Sequence, residues 1–302
     1  MPENGKEQKM QNPATISDWN SPHIKARFSV LCREEICTAQ NCYRGGVGTL
    51  AEKRMHRVFK RLITDDESKS EVRISATLQK TEDTSDKVPR FVADILTDGE
   101  IIEIQTGSFF PMQKKLDWCM HHTPYRLTVI HPIAARRTLA WLDPISGTVG
   151  KPRRVSRREN ALVIASELYW IRPILTNPEL RRRFCLVLPL LEVQDYKWLD
   201  GYSADGKRGA TRYERIPISL LETIVLSEPE DYAHLFFPAS LPHPFTAAEY
   251  AAATRIRGRT TYSVLHLFCE MGILRPEGKR GRSVTYTWTC EEESAPVTQH
   301  QA

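Results

Sequence analysis

The chain has 302 residues, of which 41% are hydrophobic and 26% charged, the proportions of an ordinary globular protein, and at this length two domains with separate cores are expected. No apolar run approaches the roughly 18 residues that cross a bilayer, and the polar stretch from Met1 to Asn20 lacks the apolar segment of a secretory signal. A membrane protein is therefore excluded and a cytoplasmic setting expected. The net charge of +5 is mild, but its basic residues are clustered, at 151–158, Arg181-Arg182-Arg183, Lys207-Arg208, 255–259 and 279–282. A single such cluster reads as a solvated face, whereas several point to phosphate contact.

Residues 1–25 are polar, carry three prolines and lack periodicity, so they are expected to be a disordered arm. Cys32, Cys37 and Cys42 are too widely spaced for the usual zinc pairs and read as free thiols on a short helix. Next, Thr49 with Glu52 three residues on resembles a capping box, and Leu50, Met55, Val58, Phe59 and Leu62 recur at helical spacing. The alternation from Glu71 to Leu78 predicts a half-buried strand. Asp98-Gly99 between two apolar runs predicts a hairpin with a two-residue type I′ turn. Beyond it, a helix is expected over Phe110–His122, strands over Tyr125–His131 and Arg137–Leu142, a helix over Asn160–Trp170 and an apolar strand from Phe184.

Counting back from the hairpin turn places Asp94 opposite Glu103 and Val92 opposite Gln105, while Ala93, Ile95, Ile102 and Ile104 form an apolar face. Opposed side chains on antiparallel strands lie about 4.5 to 5.5 Å apart at Cβ, and like charges so placed repel. A bound cation, a nearby Lys or Arg, or a raised carboxyl pKa must compensate. Hard divalent ions take one or two carboxylates together with water and phosphate oxygens, so Mg²⁺ (or Mn²⁺) fits this strand face.

An acid on one strand and Glu-x-Lys on the next, behind a helix carrying a further Glu, is the pattern of the PD-(D/E)XK nuclease superfamily. The chain resembles it over residues 48–142, through Glu52, the strand 71–78, Asp94 and Glu103-Ile104-Gln105, followed by helix and strand. The resemblance implies an α/β fold, a mixed sheet flanked by helices as in restriction endonucleases and Holliday-junction resolvases. It implies Asp94 and Glu103 as metal ligands with the Ile104 carbonyl, an assisting Glu52, and Gln105 in place of the usual lysine. Glutamine can orient water but carries no charge, so Lys114 or Lys115 on the next helix is expected to supply it. His56, one helical turn from Glu52, is a candidate proton relay.

Near the C-terminus, Thr246 and Glu249 form a second capping box, and an apolar stripe over Thr260–Met271 ends at Gly272. Strands at Ile273–Arg275 and Val284–Trp288 flank a basic loop at 278–282. This order resembles a winged-helix domain over about 218–290, implying DNA as partner, with Arg257, Arg259, Lys279, Arg280 and Arg282 as phosphate contacts. The expected organisation is an arm at 1–25, a nuclease-like domain at 26–217, the winged helix at 218–290 and a disordered tail at 291–302. The expected function is Mg²⁺-dependent hydrolysis of DNA phosphodiester bonds. A homodimer is expected by analogy with nucleases that pair to cut both strands. The alternative is a catalytically silent DNA-binding or regulatory relative.

Overall fold

A computed structural model describes residues 18–43, 54–74, 90–143, 146, 148–198 and 212–289. Two helices come first, α1 (Pro22–Tyr43) and α2 (Arg54–Ile63), then β1 (Ser70–Arg73), β2 (Val92–Leu96), β3 (Glu100–Ile104), α3 (Gln113–His122), β4 (Arg126–Ile130), β5 (Ile133–Leu142) and β6 (Arg153–Arg154). Two 3₁₀ turns (Ala161–Ser166, Leu168–Ile171) lead to the short α4 (Arg172–Thr176) and α5 (Pro178–Arg181), then to the long strands β7 (Phe184–Trp198) and β8 (Arg212–Leu226). The C-terminal part holds α6 (Pro229–Phe236), β9 (Phe245–Thr246), α7 (Ala247–Thr254), α8 (Arg259–Glu270), β10 (Leu274–Arg280) and β11 (Ser283–Trp288).

The fold is mixed α/β. Its large sheet runs β1-β2-β3-β4-β7-β5-β6, with β8 also on β7. β4 and β5 both lie parallel to β7, against its first and second halves. They are one ribbon interrupted at His131-Pro132, because Pro132 has no N–H to continue the ladder. Side chains alternate between two apolar layers. Ile102, Ile104, Ile130 and Val187 pack with Phe28 of α1 and with Met55, Val58, Phe59 and Leu62, the i, i+3, i+4, i+7 stripe of α2. Ile101, Leu127, Val129, Leu186 and Leu188 pack with Leu116 and Met120 of α3 and with the C-terminal helices.

The hairpin register is the counted one, Ile95 facing Ile102 and Leu96 facing Ile101. The turn differs, since neither Asp98 nor Gly99 adopts the left-handed φ that type I′ requires. The Arg126 amide donates to the Gly99 carbonyl at 3.0 Å, so the adjoining strand pins the loop. Ala93 departs from the expected face and packs with Ile74 and Ile101, whereas Ile95 joins the α1/α2 layer. The strand expected to reach Leu78 is described only to Arg73, with Ile74 buried beyond it.

Other expectations shift. The N-terminal arm ends before residue 25: Trp19 is buried, α1 starts at Pro22, and Asn20 both donates to the Thr223 carbonyl (2.9 Å) and accepts its amide (2.8 Å), closing the edge of β8. The helix expected over Asn160–Trp170 is two 3₁₀ turns, since both helix types repeat apolar residues every three to four positions. The boundary expected at 217/218 falls inside β8, which belongs to the large sheet. The short helix expected around the cysteines is the 22-residue α1, where Cys32 is buried and burial pushes its thiol pKa up. The Cys37 and Cys42 side chains, the Thr49–Glu52 capping box and the tail at 291–302 lie outside the described residues.

Arg54 is 1% exposed, held by Glu35 (3.3 Å) from α1 and Glu214 (2.9 Å) from β8. Burial raises the pKa of Glu214, with Arg54 pulling the other way. Removing one member of such a group strands the others without water. Arg54→Ala is therefore expected to destabilise the fold by about 3 to 5 kcal/mol in urea unfolding, and an unchanged midpoint would contradict this role.

Candidate active site

The site forms where β2 leaves β3. In a regular ladder the Ile104 amide would donate to a β2 carbonyl; here it donates to Asp94 Oδ2 at 2.7 Å. On the other side of that carboxylate, His56 of α2 brings Nε2 to 3.1 Å from the same oxygen. His56 is placed there by its neighbours in sequence, because Met55 and the Val58/Phe59 pair anchor α2 in the core and turn the next position toward β2.

Glu103 is the fourth residue of the all-buried five-residue strand β3. Lys115 of α3 places Nζ 2.5 Å from its Oε2 and also donates to the Val92 carbonyl. The nearby Asp94 backbone amide favours the charged form of the Glu103 carboxyl. Its other oxygen, Oε1, is buried and meets no hydrogen-bond donor among the described residues. Burial raises the Glu103 pKa to about 7, the Lys115 charge opposing this and the Asp94 charge adding to it. For Asp94 burial works in the same direction, but His56, the Ile104 amide and Lys115 outweigh it and hold that carboxyl below the usual range. The surroundings therefore drive the two acids apart, holding the Asp94 carboxyl low and pushing the Glu103 carboxyl up.

Gln105 comes immediately after β3, but its side-chain amide donates to the Ser108 carbonyl. Its own carbonyl is met by His131 Nδ1 at 2.7 Å, and burial lowers the His131 pKa. Glu167 braces this loop from the 3₁₀ segment, accepting from Ser108 Oγ (2.9 Å) and the Phe109 amide (2.8 Å). Asp94, Glu103 and Lys115 thus come together as expected, with Lys115 rather than Gln105 carrying the charge. Glu52 lies outside the described residues and Lys114 is exposed on α3. Reasoning from sequence missed Glu167 and His131, which act through the loop after β3 and had no spacing that would mark them.

Of the C-terminal candidates, Arg257, Arg259, Lys279 and Arg282 are exposed. Arg280 is engaged within the fold, 2.5 Å from Glu249 and donating to the Pro244 carbonyl. Glu249 also completes the capping box with Thr246 at the start of α7. The Arg181–Arg183 cluster is structural: Arg183 binds the carbonyls of Met120, Thr123 and Tyr125 at the end of α3.

The family model described as Domain of unknown function (DUF8091) matches residues 53–227, more than half of the chain. The matched span ends with β8 and so takes in Asp94, Glu103 and Lys115 but not the C-terminal helices. Neither a curated protein nor a solved structure matches the chain.

A carboxyl with a raised folded pKa stabilises the fold while protonated. That contribution is complete below the ordinary glutamate value of 4.5 and is lost as pH rises through about 7. In metal-free buffer the melting temperature of the wild type should therefore fall relative to Glu103→Gln across this window. Parallel curves would show that Glu103 is already ionised.

Proposed function

Since the chain belongs to the DUF8091 family, whose description assigns no chemistry, we propose a function from the site itself: a divalent-metal-dependent nuclease-like protein hydrolysing DNA phosphodiester bonds. One observation carries the reading: the carboxylates of Asp94 and Glu103 meet where β2 leaves β3, and the buried Oε1 of Glu103 lacks a donor among the described residues. A buried oxygen without a donor is costly, and a hard cation is one partner that removes the cost. Both contacts made to the Asp94 carboxylate fall on Oδ2. The donor set thus suits Mg²⁺ or Mn²⁺, with Asp94 and Glu103 as the residues that would hold it.

A bound divalent ion would polarise a phosphate oxygen and acidify water. The remaining roles belong to the side chains around the two acids. Lys115 keeps a positive charge against Glu103 and suits stabilisation of a phosphate anion. His56, in contact with Asp94, is placed to accept or return a proton at Nε2. Gln105 is turned away to Ser108, so an orienting role for it requires the loop after β3 to rearrange. The restriction-endonuclease-like reading of the domain is supported by its order: a helix, a hairpin carrying the acids, a helix and a parallel strand. The C-terminal order of helix, short strand, two helices and hairpin supports a winged helix with DNA as its partner.

The alternative, a silent DNA-binding or regulatory relative, is favoured by the Lys115–Glu103 pair, in which the ammonium already offsets the acid without a metal. Cleavage of plasmid and branched DNA in Mg²⁺ or Mn²⁺ separates the two. Asp94→Ala or Glu103→Ala should reduce cutting on the order of a hundredfold or more while leaving the circular dichroism spectrum unchanged. A wild type that shifts DNA in a salt-sensitive manner yet cuts no substrate with either metal would favour the silent relative.

A further inference from the structure

Two clefts adjoin on the side where the 3₁₀ segment meets α8. One, about 530 Å³, is lined by Arg157 and Arg158 from the loop before the 3₁₀ segment and by Arg255 and Arg257 from the α7–α8 turn. None of these arginines has a carboxylate partner among the described residues. The one acid in the lining, Glu159, lies 3.6 Å from Arg137. Four arginines lining one cleft whose single acid is already engaged by Arg137 carry an excess of positive charge and so favour an anion there. The contrast with Arg183, whose guanidinium is taken up by backbone carbonyls, separates this cluster from the structural ones.

The second cleft, about 280 Å³, shares Ala165 with the first and is lined by Tyr169, Arg172 and Tyr262. Both tyrosines are largely exposed, at 55% and 65%. Tyr169 stands edge-on to Trp170, which meets the exposed Phe110 at 4.8 Å. Phe110 follows the loop that Glu167 ties to Gln105 through Ser108. Aromatic rings therefore run from the loop after β3 to the cleft that adjoins the arginines. Exposed rings next to unpaired arginines match unpaired bases, which offer stacking faces, better than a closed duplex, whose bases are hidden.

We infer that this surface seats a single-stranded DNA segment, with backbone phosphates in the Arg157/Arg158/Arg255/Arg257 cleft and bases against Tyr169 and Tyr262. The choice of DNA rests on the proposed function. The seat would make an unpaired region, as at a branch or flap, the substrate class delivered to Asp94 and Glu103.

Fluorescence anisotropy with the full chain in EDTA tests it, using labelled oligothymidylate, a duplex of equal length and inorganic pyrophosphate as competitor. Oligothymidylate should bind on the order of tenfold more tightly than duplex, and Tyr169→Ala/Tyr262→Ala should remove that preference. Arg157→Ala/Arg158→Ala and Arg255→Ala/Arg257→Ala should each lower the salt dependence of log K by about 0.7 for every phosphate that the variant no longer neutralises. Equal or tighter duplex binding overturns the inference, as does a salt slope unmoved by either arginine pair, or pyrophosphate binding without oligonucleotide binding. Melting temperatures of the variants confirm that these exposed positions leave the fold intact. Because binding is read without metal, cleavage in Mg²⁺ decides the hydrolytic reading independently.

Discussion

A main-chain amide that would ordinarily extend a ladder meets a side chain instead: the Ile104 N–H donates to Asp94 Oδ2. That substitution ends the β2–β3 pairing after Ile95 and Ile102, and Ala93 packs in the layer opposite to Ile95. It also explains how groups from opposite faces of one sheet reach a single place. His56 arrives on α2 from one layer and Lys115 on α3 from the other, and they meet only because the strands have parted between them.

The electrostatics follow from that geometry. A buried acid beside an ionised one lacks solvent to spread its charge, so Glu103 gives way and retains a proton into the neutral range, while Asp94, with three favourable neighbours, stays charged. Lys115 lowers the cost without removing it, since one carboxylate oxygen is left with no donor among the described residues.

Much of this was legible in the sequence. The Asp98-Gly99 turn between two apolar runs set the counted register, which the Ile95–Ile102 and Leu96–Ile101 pairs keep, although the pairing stops short of Asp94 and Glu103. What the count missed came from contacts between distant segments. Arg126 pins the turn, Glu167 holds the loop after β3, and Gln105 is drawn to Ser108. Lys114 and Lys115 could not be separated by spacing, because the phase of α3 depends on which face meets the sheet. Strand β8 was obscured by Pro217, which is tolerated next to a register shift against β7.

The double hydrogen bond of Asn20 to Thr223 ties the residues before α1 to the last strand of the family-matched span. A fragment cut to residues 53–227 would lack both that amide and the helix lying across β8. Its outermost strand would then present bare N–H and C=O groups, an invitation to strand addition by a neighbouring copy. Work on the isolated domain is therefore better begun upstream of Trp19, where the chain itself covers that rim.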